Sequence, residues 1–225
     1  MAGAFIALEG VDGSGKSTIA KRLVLALQEA GRRAIFTREP GGTTIGEQIR
    51  AVLLGQASTS MLPTTEMLLF AAARAQLVGE VVRPALGEGL IVVADRFSDS
   101  SLAYQWGARG LEIDAVIQAQ RLATGGLEPD LKILLDLPVE AALQRRMAEV
   151  HEINRLDLEV VQFHNRVREA YHSLVEEAPA RWRVIDANRA EEDVWSDVWF
   201  TVASSELLAI SPVQARTDGA GRRSQ

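Results

Sequence analysis

Apolar residues follow two alternating rhythms along this chain: short unbroken runs, and longer stretches with one apolar position in every three or four. The runs Phe5–Leu8, Ala34–Thr37, Leu90–Ala94, Leu131–Leu135 and Trp182–Ile185 predict strands. Helical spacing predicts helices over Lys16–Ala30, near Ile45–Leu54, over Thr64–Leu86, near Leu102–Trp106 and over Ile113–Thr124. Three more lie further on: one opened by Pro138 in its first turn, one from about Asp157 to Glu177, and one over Glu191–Leu208. Strands that are apolar throughout and alternate with helices are buried on both faces. The expected fold class is therefore α/β, a doubly wound five-stranded parallel sheet flanked by helices. Trp195 and Trp199, four apart, read as the stripe that anchors the final helix. A single domain over residues 1–210 is expected. Ser211 to Gln225 is polar and aperiodic, reading as a disordered tail with solvated Arg222 and Arg223.

Composition narrows the function. The 225 residues are 47% hydrophobic and 24% charged, the balance of a globule with a sizeable core. Zero cysteines leave no disulfide and no thiolate metal site. No apolar run approaches the ~20 residues of a membrane span, and the N-terminus lacks a signal-peptide pattern, so a cytoplasmic protein is expected. A formal net charge of -6 argues against a nucleic-acid groove, which needs clustered Lys and Arg. His151, His164 and His172 form no metal-ligand pattern and are expected in solvated or capping roles.

One motif carries chemistry on its own. Gly10, Val11, Asp12, Gly13, Ser14, Gly15, Lys16 and Ser17 fit G-x-x-x-x-G-K-[ST] between a predicted strand and a predicted helix. Such a loop turns its backbone N–H groups inward on a nucleoside triphosphate, and the helix behind it aims its positive end at the same anion. Lys16 adds a point charge, Ser17 a hydroxyl for magnesium, and Thr18 continues the first helical turn.

In open parallel sheets ligands sit beyond the carboxyl ends of the strands, which directs attention to the residues just after each strand. After the second come Arg38, Glu39 and Pro40. A helix capped by Thr44 with Glu47 three residues on would explain those two residues as a capping box but leaves Arg38 and Glu39 without a role. After the third come Asp95, placed to orient magnesium, and Arg96, able to fork onto phosphate; a surface ion pair or helix cap is the plainer reading of an isolated dipeptide, but beside a phosphate loop in a parallel sheet the ligand roles are favoured. Phe70 and Arg74, at i and i+4, share a helix face where they could sandwich a flat base, although a core aromatic and a solvated arginine would have the same spacing. Ser100 and Ser101 open a segment with Tyr104 and Gln105 that could meet a ligand or only cap and pack.

In their joint order these pieces resemble the bacterial thymidylate kinases: Leu8–Asp12 with its loop, Thr37–Thr43, Leu69–Arg74, Asp95–Phe97, and Ser101–Gln105. The resemblance implies transfer of the ATP γ-phosphoryl group to dTMP with Mg2+, giving dTDP for dTTP synthesis, by a homodimer. It implies that Lys16 and the Gly10–Ser17 backbone hold ATP, that Ser17 and Asp95 hold the metal, and that Arg96 with Arg38 holds the acceptor phosphate. Asp12 would reach the acceptor sugar, Glu39 and Pro40 form a restricted turn that is often cis, Phe70 stacks on thymine and Arg74 bonds its carbonyl edge. Ser101 would face the base, Tyr104 would crowd the 2′ position, and Gln105 would stand with them in the dTMP site. Members without an arginine in the phosphate loop place catalytic arginines in a lid, here expected near 144–156 with Arg145, Arg146 and Arg155. Fewer arginines stand there than such relatives tend to carry. A kinase for another nucleotide or metabolite is the nearer alternative, and a non-enzymatic nucleotide-dependent binding module the more distant one.

Overall fold

The computed structural model describes residues 3–149 and 154–207. Five strands form one sheet in which every pairing is parallel: β1 (Ala4–Glu9), β2 (Ala34–Arg38), β3 (Ile91–Asp95), β4 (Leu131–Asp136) and β5 (Trp182–Asp186), in the order β2-β3-β1-β4-β5. All six residues of β1 are buried, as the unbroken apolar run requires of a central strand. The period of two then divides it between two cores. Ile6 and Leu8 face a cluster with Ile19, Leu23, Val167 and Trp199, while Phe5 and Ala7 face one with Leu77, Val82 and Phe97. Leu8 of β1 stands opposite Asp95 of β3, so β1 runs one residue further and the two strands release their loops on the same rim.

Nine α-helical segments surround the sheet among the described residues: α1 (Lys16–Glu29), α2 (Thr44–Leu54), α3 (Pro63–Leu77), α4 (Arg83–Gly87), α5 (Ser98–Ser101), α6 (Ile113–Thr124), α7 (Val139–Glu149), α8 (Val161–Glu177) and α9 (Glu191–Ala203). The helix expected over Thr64–Leu86 is not uniform. A π-helical segment, Val78–Val82, separates α3 from α4. Pro84 supplies the reason, since it has no N–H and its ring crowds the carbonyl four residues back, which a wider turn relieves. The expected Leu102–Trp106 helix is likewise a π-helical run, Leu102–Ala108, continuing from α5. The helix expected from Asp157 starts at Val161 after a 3-10 turn, Leu156–Leu158, and the last one stops at Ala203.

The cap of α2 is Thr43, not Thr44: its hydroxyl accepts from Gly46 N–H at 2.9 Å. Glu47 instead accepts from Gly42 N–H at 3.0 Å and pairs with Arg38 at 3.2 Å. Trp195 and Trp199 are buried and stacked at 6.0 Å, anchoring α9 as expected. His164 is a correction, because it is buried edge-on against Phe163, and burial lowers its proton affinity. His172 lies beside Asp136, while His151 and the tail lie outside the described residues.

Candidate active site

Beyond Glu9 the chain makes the predicted turn, and Gly10, Gly13 and Gly15 adopt φ of 139°, 83° and 88°. These are angles that only glycine reaches without strain. At Gly13 space forbids a side chain as well, since a Cβ would lie 2.2 Å from the carbonyl oxygen of Ala142. Val11 and Ser14 close the loop through Ser14 N–H to Val11 O at 3.3 Å. Lys16 is buried and folds back on this loop, its Nζ donating to Val11 O at 2.7 Å and to Ser14 Oγ at 3.3 Å. Burial first, then the charge of Arg96, lowers the Lys16 ammonium to about 8 against the pull of Asp95, Asp12 and Glu9. A cation destabilised in this way gains from an anion placed on it.

A cavity of about 230 Å³ opens in front of the loop, lined there by Asp12, Gly13, Gly15, Lys16, Ser17 and Thr18. At the end of β3, Asp95 and Arg96 line it too. The Ser17 hydroxyl touches Asp95 Oδ2. Two oxygen donors in contact beside a phosphate cradle suit Mg2+, which takes one or two protein oxygens and fills its shell with waters and phosphate oxygens. Among the described residues no group of three or more metal-binding side chains exists.

Arg96 is held by five contacts, with its backbone at φ 74°. The two N–H groups of Nη1 are shared among Gly10 O (2.9 Å), Ser100 Oγ (3.1 Å) and Tyr171 OH (3.2 Å). Nη2 donates to Asp12 Oδ1 (2.8 Å) and Tyr104 OH (3.0 Å), and Tyr104 also donates to Asp12 Oδ2 (2.9 Å). Burial opposes charge on Asp12, but Arg96 and Lys16 hold its carboxyl well below the usual carboxylate range. A residue in a left-handed conformation persists only where its surroundings fix it, as they do here.

The opposite wall combines Arg38, Glu39, Pro40 and Phe70 with Ser101, Tyr104 and Gln105 from α5 and the π-helical run behind it. The Glu39–Pro40 peptide is cis, as the resemblance implied. Arg74 does not share this wall with Phe70. It is 1% exposed, and its guanidinium is spent on Glu39 (2.7 Å), Ser101 (2.9 Å), Gln120 and the Phe97 carbonyl (3.0 Å). A buried guanidinium must satisfy all five N–H groups, and these neighbours do so beneath the cavity. Burial first, countered by Arg74, raises the Glu39 carboxyl.

Of the three arginines assigned to a lid, only Arg146 lines the cavity, braced by Asp157 at 2.8 Å. Arg145 donates to the Ala187 carbonyl (3.1 Å), away from it. Arg155 is buried against Glu66 and the Leu53 carbonyl (2.9 Å), because a cation this deep takes the nearest buried carboxylate. The rest of the expected lid, 150–153, lies outside the described residues. Sequence reasoning missed Arg50, which lines the cavity and donates to the Pro40 carbonyl at 2.7 Å. It gave no role to Glu9, although the Leu8–Asp12 stretch contains it, and missed Tyr171.

A triphosphate cradle, a carboxylate–hydroxyl pair and a second basic wall thus meet in one cavity. A family model described as thymidylate kinase matches residues 8–198. The chain belongs to the thymidylate kinase family. It is 50% identical to the thymidylate kinase of Thermomicrobium roseum over 88% of this chain and 93% of that one. For the thymidylate kinase of Pelotomaculum thermopropionicum the identity is 48%, over 92% and 95%. For that of Symbiobacterium thermophilum it is 50%, over 86% and 90%. As a member of the thymidylate kinase family the chain is an ATP-dependent phosphotransferase. Among the described residues no helix is long and apolar enough to cross a membrane.

Proposed function

We propose that this chain transfers the γ-phosphoryl group of ATP to the phosphate of dTMP, giving ADP and dTDP. The observation that carries the reading is Arg96, bonded at once to Gly10 and Asp12 of the phosphate loop and exposed to the cavity beside Arg38 and Arg50. One guanidinium therefore spans the ground between a donor and an acceptor anion. The loop from Gly10 to Thr18 takes the donor phosphates, with Lys16 on the oxygens of the moving group. Arg96, Arg38 and Arg50 take the acceptor phosphate, and Phe70 offers its ring to the base. Glu39, Pro40, Ser101 and Gln105 shape that pocket, and Arg74 acts from below by holding Glu39 and Ser101 in place.

The attacking oxygen belongs to a phosphate whose second pKa is about 6, so at neutral pH no general base is required. What this chain contributes is alignment of two repelling anions and positive charge along their line of approach. Ser17 and Asp95 would hold Mg2+, which supplies charge neutralisation on the donor phosphates when bound. Arg146 is positioned on the cavity to add a further cation, and Asp12 with Tyr104 fixes Arg96 against the acceptor sugar. We place the protein in the cytoplasm as a homodimer. Leu68 on α3 and Leu122 on α6 are 56% and 88% exposed on adjacent helices, and a second copy would cover them.

The test is ADP release from ATP and Mg2+ with dTMP, dUMP, UMP, CMP, AMP or GMP supplied separately, the product identified by chromatography. Stimulation by dTMP with dTDP formed supports the reading. A different preferred acceptor, or no stimulation at all, overturns it.

A further inference from the structure

Glu9 closes an otherwise apolar strand with a carboxylate that is 0% exposed. The nearby Arg96 makes its ion pair with Asp12. Glu9 accepts hydrogen bonds instead, from Phe97 N–H at Oε1 (2.8 Å) and from Ser100 Oγ (2.6 Å) and Tyr171 OH (2.7 Å) at Oε2. Burial first, then the charge of Asp99, pushes this carboxyl up to about 7, and above that value three donors converge on a group that only accepts. Ser100 is 91 residues and Tyr171 162 residues away in the chain, so three separate elements are gathered on one side chain.

The proton count gives this cluster a direction. Each hydroxyl owns one proton and can still accept. Once both protons point to Glu9 Oε2, Ser100 and Tyr171 turn lone pairs to Arg96 Nη1, at 3.1 Å and 3.2 Å. The carboxylate thus sets the polarity of two hydroxyls that, with Gly10 O, share the two N–H groups of Arg96 Nη1. Its other oxygen pins the amide of Phe97, the residue directly after Arg96, whose own φ is 74°.

We propose that Glu9 is a positioning residue for Arg96: it fixes the proton direction of Ser100 and Tyr171, so that both accept from the guanidinium and hold it against the phosphates. The inference rests on the reading of Arg96 as the arginine between donor and acceptor. Replacing Oε2 with an amide nitrogen reverses the relay. A donor at that position forces both hydroxyls to accept from it. With Ser100 and Tyr171 2.9 Å apart, one proton can pass between them, and the other is left facing a guanidinium that has only donors.

Steady-state kinetics on the full chain at about pH 8, where the Glu9 carboxyl is ionised, test this with Glu9→Gln, the double variant Ser100→Ala/Tyr171→Phe, and the triple variant combining all three. Glu9→Gln is expected to lower kcat by at least tenfold with KM for ATP changed less than about threefold, on the scale of losing one aligned electrostatic contact. In the background without hydroxyls the same change should cost less than about twofold, because nothing is left to reorient. A purely structural role would lower the folded fraction and leave the split between kcat and KM unmoved. The proposal is overturned if Glu9→Gln keeps kcat within twofold, or if it costs the same factor in both backgrounds. Where Glu9→Gln does not fold, Ser100→Ala and Tyr171→Phe carry the test alone: each should lower kcat with unchanged KM for ATP, and normal kcat in both overturns it. Arg96→Gln separates the two readings. Full turnover there would sink the role of Arg96, whereas its loss beside an intact Glu9→Gln would sink only the relay.

Discussion

Removing the carboxylate of Glu66 isolates how far the fold depends on buried charge next to the site. Glu66 is 1% exposed on α3 and accepts from Gln105 (3.1 Å), from Arg109 through two contacts (3.1 Å each) and from Arg155. In Glu66→Ala, Arg109 keeps Glu159 at 2.6 Å, whereas Arg155, 5% exposed, keeps among the described residues only the Leu53 carbonyl. One buried cation is thus stranded, which typically costs about 3–5 kcal/mol. At about 2–4 °C per kcal/mol for a chain of this size, Tm should fall by roughly 6–20 °C in a calorimetric scan at pH 7. Burial works against the Glu66 charge, but Arg109, Arg155 and Gln105 hold its proton affinity below normal. With the folded value depressed, the stabilisation is present above the unfolded value of about 4.3 and is lost as pH falls through the lower folded one. The gap between parent and variant should therefore close toward pH 3. Adding Arg155→Met should recover part of the loss at pH 7, since a well-packed apolar pair can replace a buried ion pair. A Tm change under about 3 °C at pH 7 would refute the reasoning.

Lys16→Ala should abolish phosphoryl transfer, read as dTDP formed over hours, while leaving the melting curve near that of the parent. Phe70→Ala should raise KM for dTMP by about tenfold or more with a smaller change in kcat, because it removes contact area with the base rather than charge from the moving group. Arg146→Ala should lower kcat more than Arg145→Ala, since only Arg146 lines the cavity; equal effects in the same assay would contradict that division. Asp136 is buried in part against Arg168 (2.7 Å) and His172 (3.2 Å), contacts that lower its proton affinity. Asp136→Asn should accordingly lose stability at pH 7 and little at pH 3, seen in urea titrations at the two values.

What the sequence made legible were features whose cause is local. An unbroken apolar run such as Phe5–Leu8 needs two covered faces and so predicts a central parallel strand, and the glycine spacing from Gly10 to Gly15 encodes its own backbone angles. The five strands came out within a residue or two of their ends. Where the cause lies far along the chain, the reading fails. Arg74 looks like a surface residue of α3 until Glu39, 35 positions earlier, is brought beneath it. Glu9 gives no sign of its partners because its hydroxyls arrive from α5 and α8. Thr43 and Thr44 stand side by side as cap candidates, and Thr43 is the one whose hydroxyl accepts from Gly46 N–H. The π-helical runs leave the apolar periodicity nearly unchanged and show only through Pro84 and through Gly107, where a Cβ would meet Ala170 at 2.3 Å.

The pairing of Leu8 with Asp95 sets a rule for which changes in length this chain can absorb. Side chains along a strand alternate, so deleting one residue between Ile91 and Ala94 would both lower the rim by a step and turn Asp95 and Arg96 toward the opposite layer. Neither residue would then reach Ser17 or Asp12, although every strand could still pair. An insertion among Gln56–Ser58 or after Gly125, by contrast, lengthens a connection without shifting either strand. The strands thus act as a ruler with a tolerance below one residue, and lineage differences in length are expected to collect in those connections and not along β1 or β3.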